Sequence, residues 1–210
     1  MIRYLLAIFA IIAPLALPAQ MTPRSVVTTA PEKMLLTIDA STLLDMLDYY
    51  ESGMAKKMAN KTGEDAVITE MTDYTITIKT GECHDVTFAI LPHGDSPVIM
   101  VIDRVQAPDT DAVVAFYNSR WKQLDTNKLL RVPTLNDWVG KQPRDSMNAI
   151  KSALPFLMAD AQYDAATSTL TFTPSIGDYV SVEDAEMVKS AIAPKLAYVW
   201  TGKKFKPAKR

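Results

Sequence analysis

The spacing of apolar residues changes character along this chain, and each change predicts an element. From Ser41, "STLLDMLDYYESGM" places Leu43, Leu47, Tyr50 and Met54 four, three and four residues apart, one face of a helix. Ser41 reads as its N-cap and Gly53 as its stop, with "AKKMANKTGED" available to lengthen it. The period then falls to two. In "AVITEMTDYTITIKT", Tyr74, Ile76 and Ile78 face one way and Thr75, Thr77 and Lys79 the other, which predicts a strand. After Gly81-Glu82, "DVTFAIL" sets Val86, Phe88 and Ile90 on one face. "LPHGDSP" is a turn, and "PVIMVIDRV" is the near-continuous apolar run of a central strand covered on both sides. "AVVAFYNSRWKQL" reads as two short strands joined by Asn118-Ser119.

The second half follows the loop "TNKLLRVPTLNDWVGKQPRD". A helix capped by Asp145 or Ser146 carries Ile150, Leu154 and Leu157 and is stopped or bent near Pro155. "AQYDAATSTLTFTPSI" reads as a hairpin. "SVEDAEMVKSAIAP" reads as a helix with Ser181 and Asp184 at capping-box spacing, and "KLAYVWTGKKF" as a closing hairpin over Thr201-Gly202. The expected fold class is therefore α+β: an antiparallel meander packed by an N-terminal helix, followed by a helix-hairpin-helix-hairpin second half. Residues 34–210 are expected to form one domain, with a two-lobe division near 125–144. The aromatic hairpins that end both halves, "FYNSRW" and "AYVWTGKKF", also fit an old duplication.

The first 19 residues change the picture of location. Arg3, an apolar run from Tyr4 to Leu17 and then Pro18-Ala19-Gln20 have the layout of a secretory signal peptide. The run is shorter than the ~20 residues that span a bilayer, so cleavage after Ala19 and a chain with no transmembrane span are expected. The residue directly after the cleavage point is Gln20 and not a cysteine, so a lipoprotein is not expected. Export to the periplasm is the reading, with an extracellular destination as the alternative. Residues 20–33, polar and Thr/Pro-containing, read as a loosely ordered leader. Of 210 residues, 48% are hydrophobic and 22% charged, the balance of a globular chain. Loss of residues 1–19 removes one cation and no acid, moving the formal charge from −2 to −3, which gives no footing for nucleic acid.

Candidate chemistry is concentrated in "GECHDVTFAILPHGD", which holds the single cysteine and both histidines. On a strand, His84 shares the face of Val86, Phe88 and Ile90 while Cys83 points away, so the two make a poor nucleophile–base pair. His93 lies nine residues on, roughly 30 Å in an extended strand, and no zinc-site spacing is present. The phosphate-loop, calcium-loop and hydrolase-elbow patterns all fail by spacing. No catalytic residue, cofactor or metal ligand is therefore assigned. Glu70, Asp73 and Asp103, near sheet ends, are the acids an unrecognised enzyme would use. Tyr117, Trp121, Tyr198 and Trp200 are the weak interaction candidates: aromatics that stack on a sugar or peptide if exposed, or pack within a sheet. The tail "GKKFKPAKR" reads as solvated.

In order, "LLDMLDYYESGM", "TEMTDYTITI", "VVAFYNSRWKQL", "LPFLMADAQYD", "TLTFTP", "VEDAEMVKSAIAP" and "LAYVWTGKKF" resemble a family of small exported proteins of Bacteroides-type bacteria catalogued as a domain of unknown function. The resemblance covers nearly the whole chain after residue 19. It implies a shared fold and an exported location, and it brings no activity. Together these readings favour a non-catalytic binding or interaction module whose partner is an envelope protein, peptide or glycan. The alternative is an envelope-associated, hydrolase-like enzyme working through acidic residues.

Overall fold

The computed structural model describes residues 21–208 except positions 95, 155 and 178. The expected signal peptide, residues 1–19, and the last two residues of the basic tail lie outside the described residues.

A short helix comes first, where a loose leader was expected. Thr22 and Ser25 bond reciprocally as a capping box, and Pro23 takes the first helical position, so α1 forms over Pro23–Thr29 and buries Val26 and Val27. The Thr and Pro that read as loop composition are its start signals. A single 3-10 turn, Glu32–Met34, leads to α2, Ala40–Glu51. Its cap is Asp39, whose carboxylate accepts from the Thr42 amide at 2.9 Å, and not Ser41. Gly53, at φ 77°, ends the helix; "AKKMANKTGED" does not extend it. Leu43 and Leu47 are buried as the spacing predicts, while Met54 is exposed.

Six strands follow in chain order: β1 (Met58–Ala59), β2 (Asp65–Met71), β3 (Thr75–Lys79), β4 (His84–Leu91), β5 (Val98–Val105) and β6 (Asp111–Tyr117). They make one antiparallel sheet with each strand beside its sequence neighbour. β5 lies inside the sheet between β4 and the edge strand β6, and it is buried from Val98 to Ile102. Its side chains alternate between two cores. Ile99 and Val101 join Val86, Phe88 and Ile90 of β4 under α1 and α2, whereas Met100 and Ile102 join Ala89, Leu91 and Phe116 on the opposite face. "DVTFAIL" is thus covered on both sides, because a second sheet packs on the face opposite the helices. Tyr117 pairs with Gln123 in an isolated bridge, so "FYNSRWKQL" yields no full second strand.

That second sheet corrects the expected fold class. Three short helices, α3 (Thr126–Leu129), α4 (Leu135–Val139) and α5 (Arg144–Ala153), precede β7 (Met158–Asp164) and β8 (Thr169–Ser175). Then come α6 (Val182–Ala191), β9 (Leu196–Trp200) and β10 (Phe205–Pro207). The last four strands form one antiparallel sheet in the order β10-β9-β8-β7. The helix-hairpin-helix-hairpin description fails because β8 pairs directly with β9 across α6, with Leu170 opposite Tyr198 and Thr171 opposite Ala197. The described chain is a mostly antiparallel protein of two sheets with short helices set among the strands, not a helix-packed meander followed by separate hairpins. Local periodicity shows where a strand lies, whereas its partner is chosen by burial: Leu170, Phe172, Tyr198, Trp200 and Phe205 close over β4–β6 together with Trp138, Leu154 and Val188. Each large side chain so buried contributes about 1.5–3 kcal/mol.

Candidate functional site

The turn between β3 and β4 holds the Cys-His pair and is tied to its surroundings by a set of hydrogen bonds. Thr80 donates its amide to the His84 carbonyl at 2.9 Å, and its own carbonyl accepts from Asn60 Nδ2 at 2.7 Å and Thr37 Oγ1 at 3.1 Å. Gly81 is buried against the Glu64 carboxylate, which also accepts the Glu82 amide at 3.0 Å. The Cys83 carbonyl accepts from the Gln106 amide, and the thiol side is exposed. Cys83 therefore sits at the tip of a tied turn. His84 Nε2 lies 2.7 Å from Asp103 Oδ1 and Nδ1 lies 2.5 Å from Thr80 Oγ1. The hydrogen bond to Asp103 raises the imidazole pKa above its ordinary value, against the opposing effect of burial. Thr80 is only 2% exposed, which denies a substrate access to the hydroxyl. His93 lies beyond the other end of β4, its ring 6.0 Å from that of Trp200.

On the opposite face of the same strands stands a cluster that residue-by-residue reading missed. Asp85, 5% exposed, faces Arg104 in register. The guanidinium donates to it from Nε at 2.9 and 3.0 Å and from Nη2 at 2.8 Å, and Gln106 Nε2 adds a bond at 2.6 Å. Arg104 also reaches Asp160 of β7 at 3.3 Å, so one arginine joins the two sheets. The bond to Asp85 raises the arginine pKa further, consistent with a permanently charged clamp.

At the far end of the molecule, the β2–β3 and β7–β8 turns approach each other and enclose an open hollow of about 650 Å³. Glu70, Thr72, Asp73, Tyr74 and Thr75 line one side, and Tyr163, Asp164, Ala165 and Ala166 the other. Two of the three acids singled out from sequence, Glu70 and Asp73, meet here; Asp103 does not, being held by His84. Among the described lining residues there are three carboxylates and two phenols and no Lys or Arg. Asp164 is kept below the usual carboxylate range by the Thr167 hydroxyl and the Ala166 amide. Tyr74 is 48% exposed, leaving part of the ring free.

The four aromatic candidates do not come together. Tyr117 and Trp121 lie on the helix-facing side, their rings 5.6 Å apart, with Trp121 edge-on to Phe88 at 6.1 Å and its indole N–H on Thr29 at 3.3 Å. Tyr198 and Trp200, each 7% exposed, belong to the core between the sheets, and the Trp200 indole N–H donates to the Pro92 carbonyl at 2.7 Å. Their surfaces are spent on packing within the protein. The exposed aromatic at the hollow is Tyr74, which the alternation of "TDYTITIKT" places on the strand face of Ile76 and Ile78 and which stands just ahead of β3. Its signal in the sequence is a position inside "TDYT", where Thr72 folds the turn by accepting the Tyr74 and Thr75 amides.

Among the described residues, no helix is long and apolar enough to cross a membrane, and no group of three or more His, Cys, Asp or Glu is placed to hold a metal ion. No curated protein matches the chain. A solved domain of an uncharacterized protein from Porphyromonas gingivalis W83 has a similar structure, with a TM-score of 0.76 over 89% of this chain and 98% of that one at 21% identity. Likeness at that identity speaks for the fold. The family match is broader, running over residues 16–205 and so through both sheets and both turns of the hollow. The chain belongs to the family described as "Protein of unknown function (DUF3256)".

Proposed function

We propose that the protein is an exported, periplasmic binding module that holds a glycan segment of the cell envelope in the hollow between the β2–β3 and β7–β8 turns, without catalysing a reaction on it. The observation that carries this reading is the lining of that hollow. The exposed Tyr74 ring, with the half-buried Tyr163 on the other side of the hollow, offers a flat apolar face to the C–H side of a sugar, while the exposed Glu70 and Asp73 offer carboxylates to its hydroxyls. The signal-peptide layout of residues 1–19 supports the location. Chemical-shift titration with neutral oligosaccharides tests the binding. Shifts confined to residues 70–75 and 163–166, and at least about tenfold weaker binding in Tyr74→Ala, equivalent to 1.4 kcal/mol, are the expected results. Titration of a lysine-rich peptide into the same residues, with none from sugars, would make the ligand a cation and overturn the glycan reading. Fractionation of cells producing the full chain tests the location, and retention of the protein in the cytoplasm would refute it.

A second reading has its own observation, since Glu70 and Asp73 line one hollow. An envelope hydrolase would use one carboxylate as acid and the other as base. In that case a measured hydrolysis of envelope glycan is lost in both Glu70→Gln and Asp73→Asn, while binding survives. Hydrolysis unchanged in both variants removes the enzyme reading.

A further inference from the structure

His84 is a half-exposed imidazole with both ring nitrogens bonded to side chains of unlike chemistry. Nε2 faces a carboxylate, Asp103 Oδ1 at 2.7 Å, and Nδ1 faces a hydroxyl, Thr80 Oγ1 at 2.5 Å. The carboxylate can only accept, so Nε2 carries a hydrogen whatever the state of the ring. The hydroxyl can either donate or accept. Thr80 Oγ1 also lies 3.3 Å from the backbone carbonyl of His84, which offers its hydrogen a second place to go.

We propose that His84 is a proton-operated latch on the β3–β4 turn, with Thr80 as the group that lets the ring take up a proton without losing a hydrogen bond. In the neutral state the Thr80 hydroxyl donates to Nδ1. When a proton from solvent binds Nδ1, a new N–H bond forms there and donates to Thr80 Oγ1, and the hydroxyl hydrogen turns to the His84 carbonyl. The hydronium O–H bond is the one given up, the hydrogen bond between Thr80 Oγ1 and Nδ1 reverses direction, and the ring becomes a cation beside Asp103. The charges acting on it are Asp103 on β5 and Asp85, its neighbour on β4, and Asp85 is already engaged by Arg104. Tyr117 on β6 also feels the Asp103 charge. The protonated ring thus gains an ion pair that the neutral ring lacks, in agreement with its raised proton affinity.

The device acts on more than one side chain. The Thr80 carbonyl is where Thr37, ahead of α2, and Asn60, after β1, are tied to the turn. Acidification tightens this junction, and a rise in pH through the His84 midpoint loosens it. The turn then opens more often, and the exposed Cys83 at its tip opens with it. This inference does not depend on the hollow or on any ligand.

Two measurements on the whole protein test it together. The ring signals of His84 and His93 are followed by NMR against pH, and amide hydrogen exchange of residues 81–84 is followed over the same range, each rate divided by that of the unstructured chain at the same pH. His84 is expected to titrate above ~6.5, the ordinary histidine value. Protection of the turn is expected to fall with the same midpoint. The size of the fall should equal the ratio of proton affinities in the folded and unfolded protein, tenfold for about each pKa unit. Asp103→Asn, an exposed and nearly isosteric change, keeps the contact and removes the charge; it should lower the midpoint and flatten the pH dependence of exchange. Thr80→Val should lower the midpoint as well, because the protonated Nδ1 then has no acceptor. A His84 midpoint at or below the ordinary value overturns the latch. So does turn protection that ignores pH, or a profile unchanged in Asp103→Asn.

Discussion

Replacing Arg104 by Met removes the one side chain that ties Asp85 of the larger sheet to Asp160 of the smaller. Asp85 has a side chain 7% exposed, so water cannot take the place of the three guanidinium bonds at 2.8–3.0 Å; only the Gln106 amide at 2.6 Å remains. A buried carboxylate left in this way costs about 3–5 kcal/mol. With a urea slope near 2 kcal/mol/M, that is a midpoint lower by roughly 1.5–2.5 M. Equilibrium urea unfolding followed by Trp fluorescence measures it, since Trp200 and Trp138 lie in the core between the sheets. The double variant Asp85→Leu, Arg104→Met separates the burial cost from the attraction. Removing both charges should restore most of the loss, because well-packed apolar replacements of a buried ion pair are often neutral or better. A single-variant loss under about 1 kcal/mol would mean the pair behaves as a surface pair, and a double variant no better than the single would mean the charge was not the problem. Either result refutes the reasoning.

Phe88, 1% exposed and edge-on to Trp121, should cost about 3–5 kcal/mol as Phe88→Ala in the same unfolding assay. Gly81→Ala should push the Glu64 carboxylate off the Glu82 amide, seen as faster exchange at that amide and a lower melting temperature. The Asp39 carboxylate, bonded first by the Ser41 hydroxyl and then by the Thr42 amide and hydroxyl, is held well below the usual carboxylate range. A depressed folded-state value stabilises above the ordinary carboxylate pKa and loses that effect as pH falls through the lowered value. Asp39→Ala should therefore flatten the acid limb of a melting-temperature profile and leave the slope above neutrality alone.

The elements most legible in the sequence were those whose burial follows a simple period. Val86, Phe88 and Ile90 share a face as the alternation requires, and the unbroken run of β5 means burial on both sides. Asp85 was not legible as a buried group, because charge and a strand position of the opposite parity both argue for solvent. The fact that reverses this is register: the turn after Leu91 sets Leu91 opposite Val98 and hence Asp85 opposite Arg104, a pairing visible once the hairpin is aligned. α1 was hidden because Thr and Pro signal both a loop and a helix start. The β8–β9 pairing, and the hollow that brings Asp73 to Asp164, depend on chain segments that meet only after both sheets have packed. Of the aromatic residues singled out from sequence, Tyr117, Tyr198 and Trp200 lie on strands and Trp121 in the turn after β6, and packing puts their rings to internal use.

The alternation of β5 between two cores sets a limit on how this chain can be divided. Cutting after β6 would leave the faces of Ala89, Met100, Ile102 and Phe116 without the Leu170, Phe172 and Trp200 side that covers them. Such a fragment would carry a wet apolar sheet and associate with itself. The smaller sheet alone would have the same face open from the other side. Neither half can be traded for a different partner without rewriting every second residue of a strand it does not contain, so the two sheets have to change together.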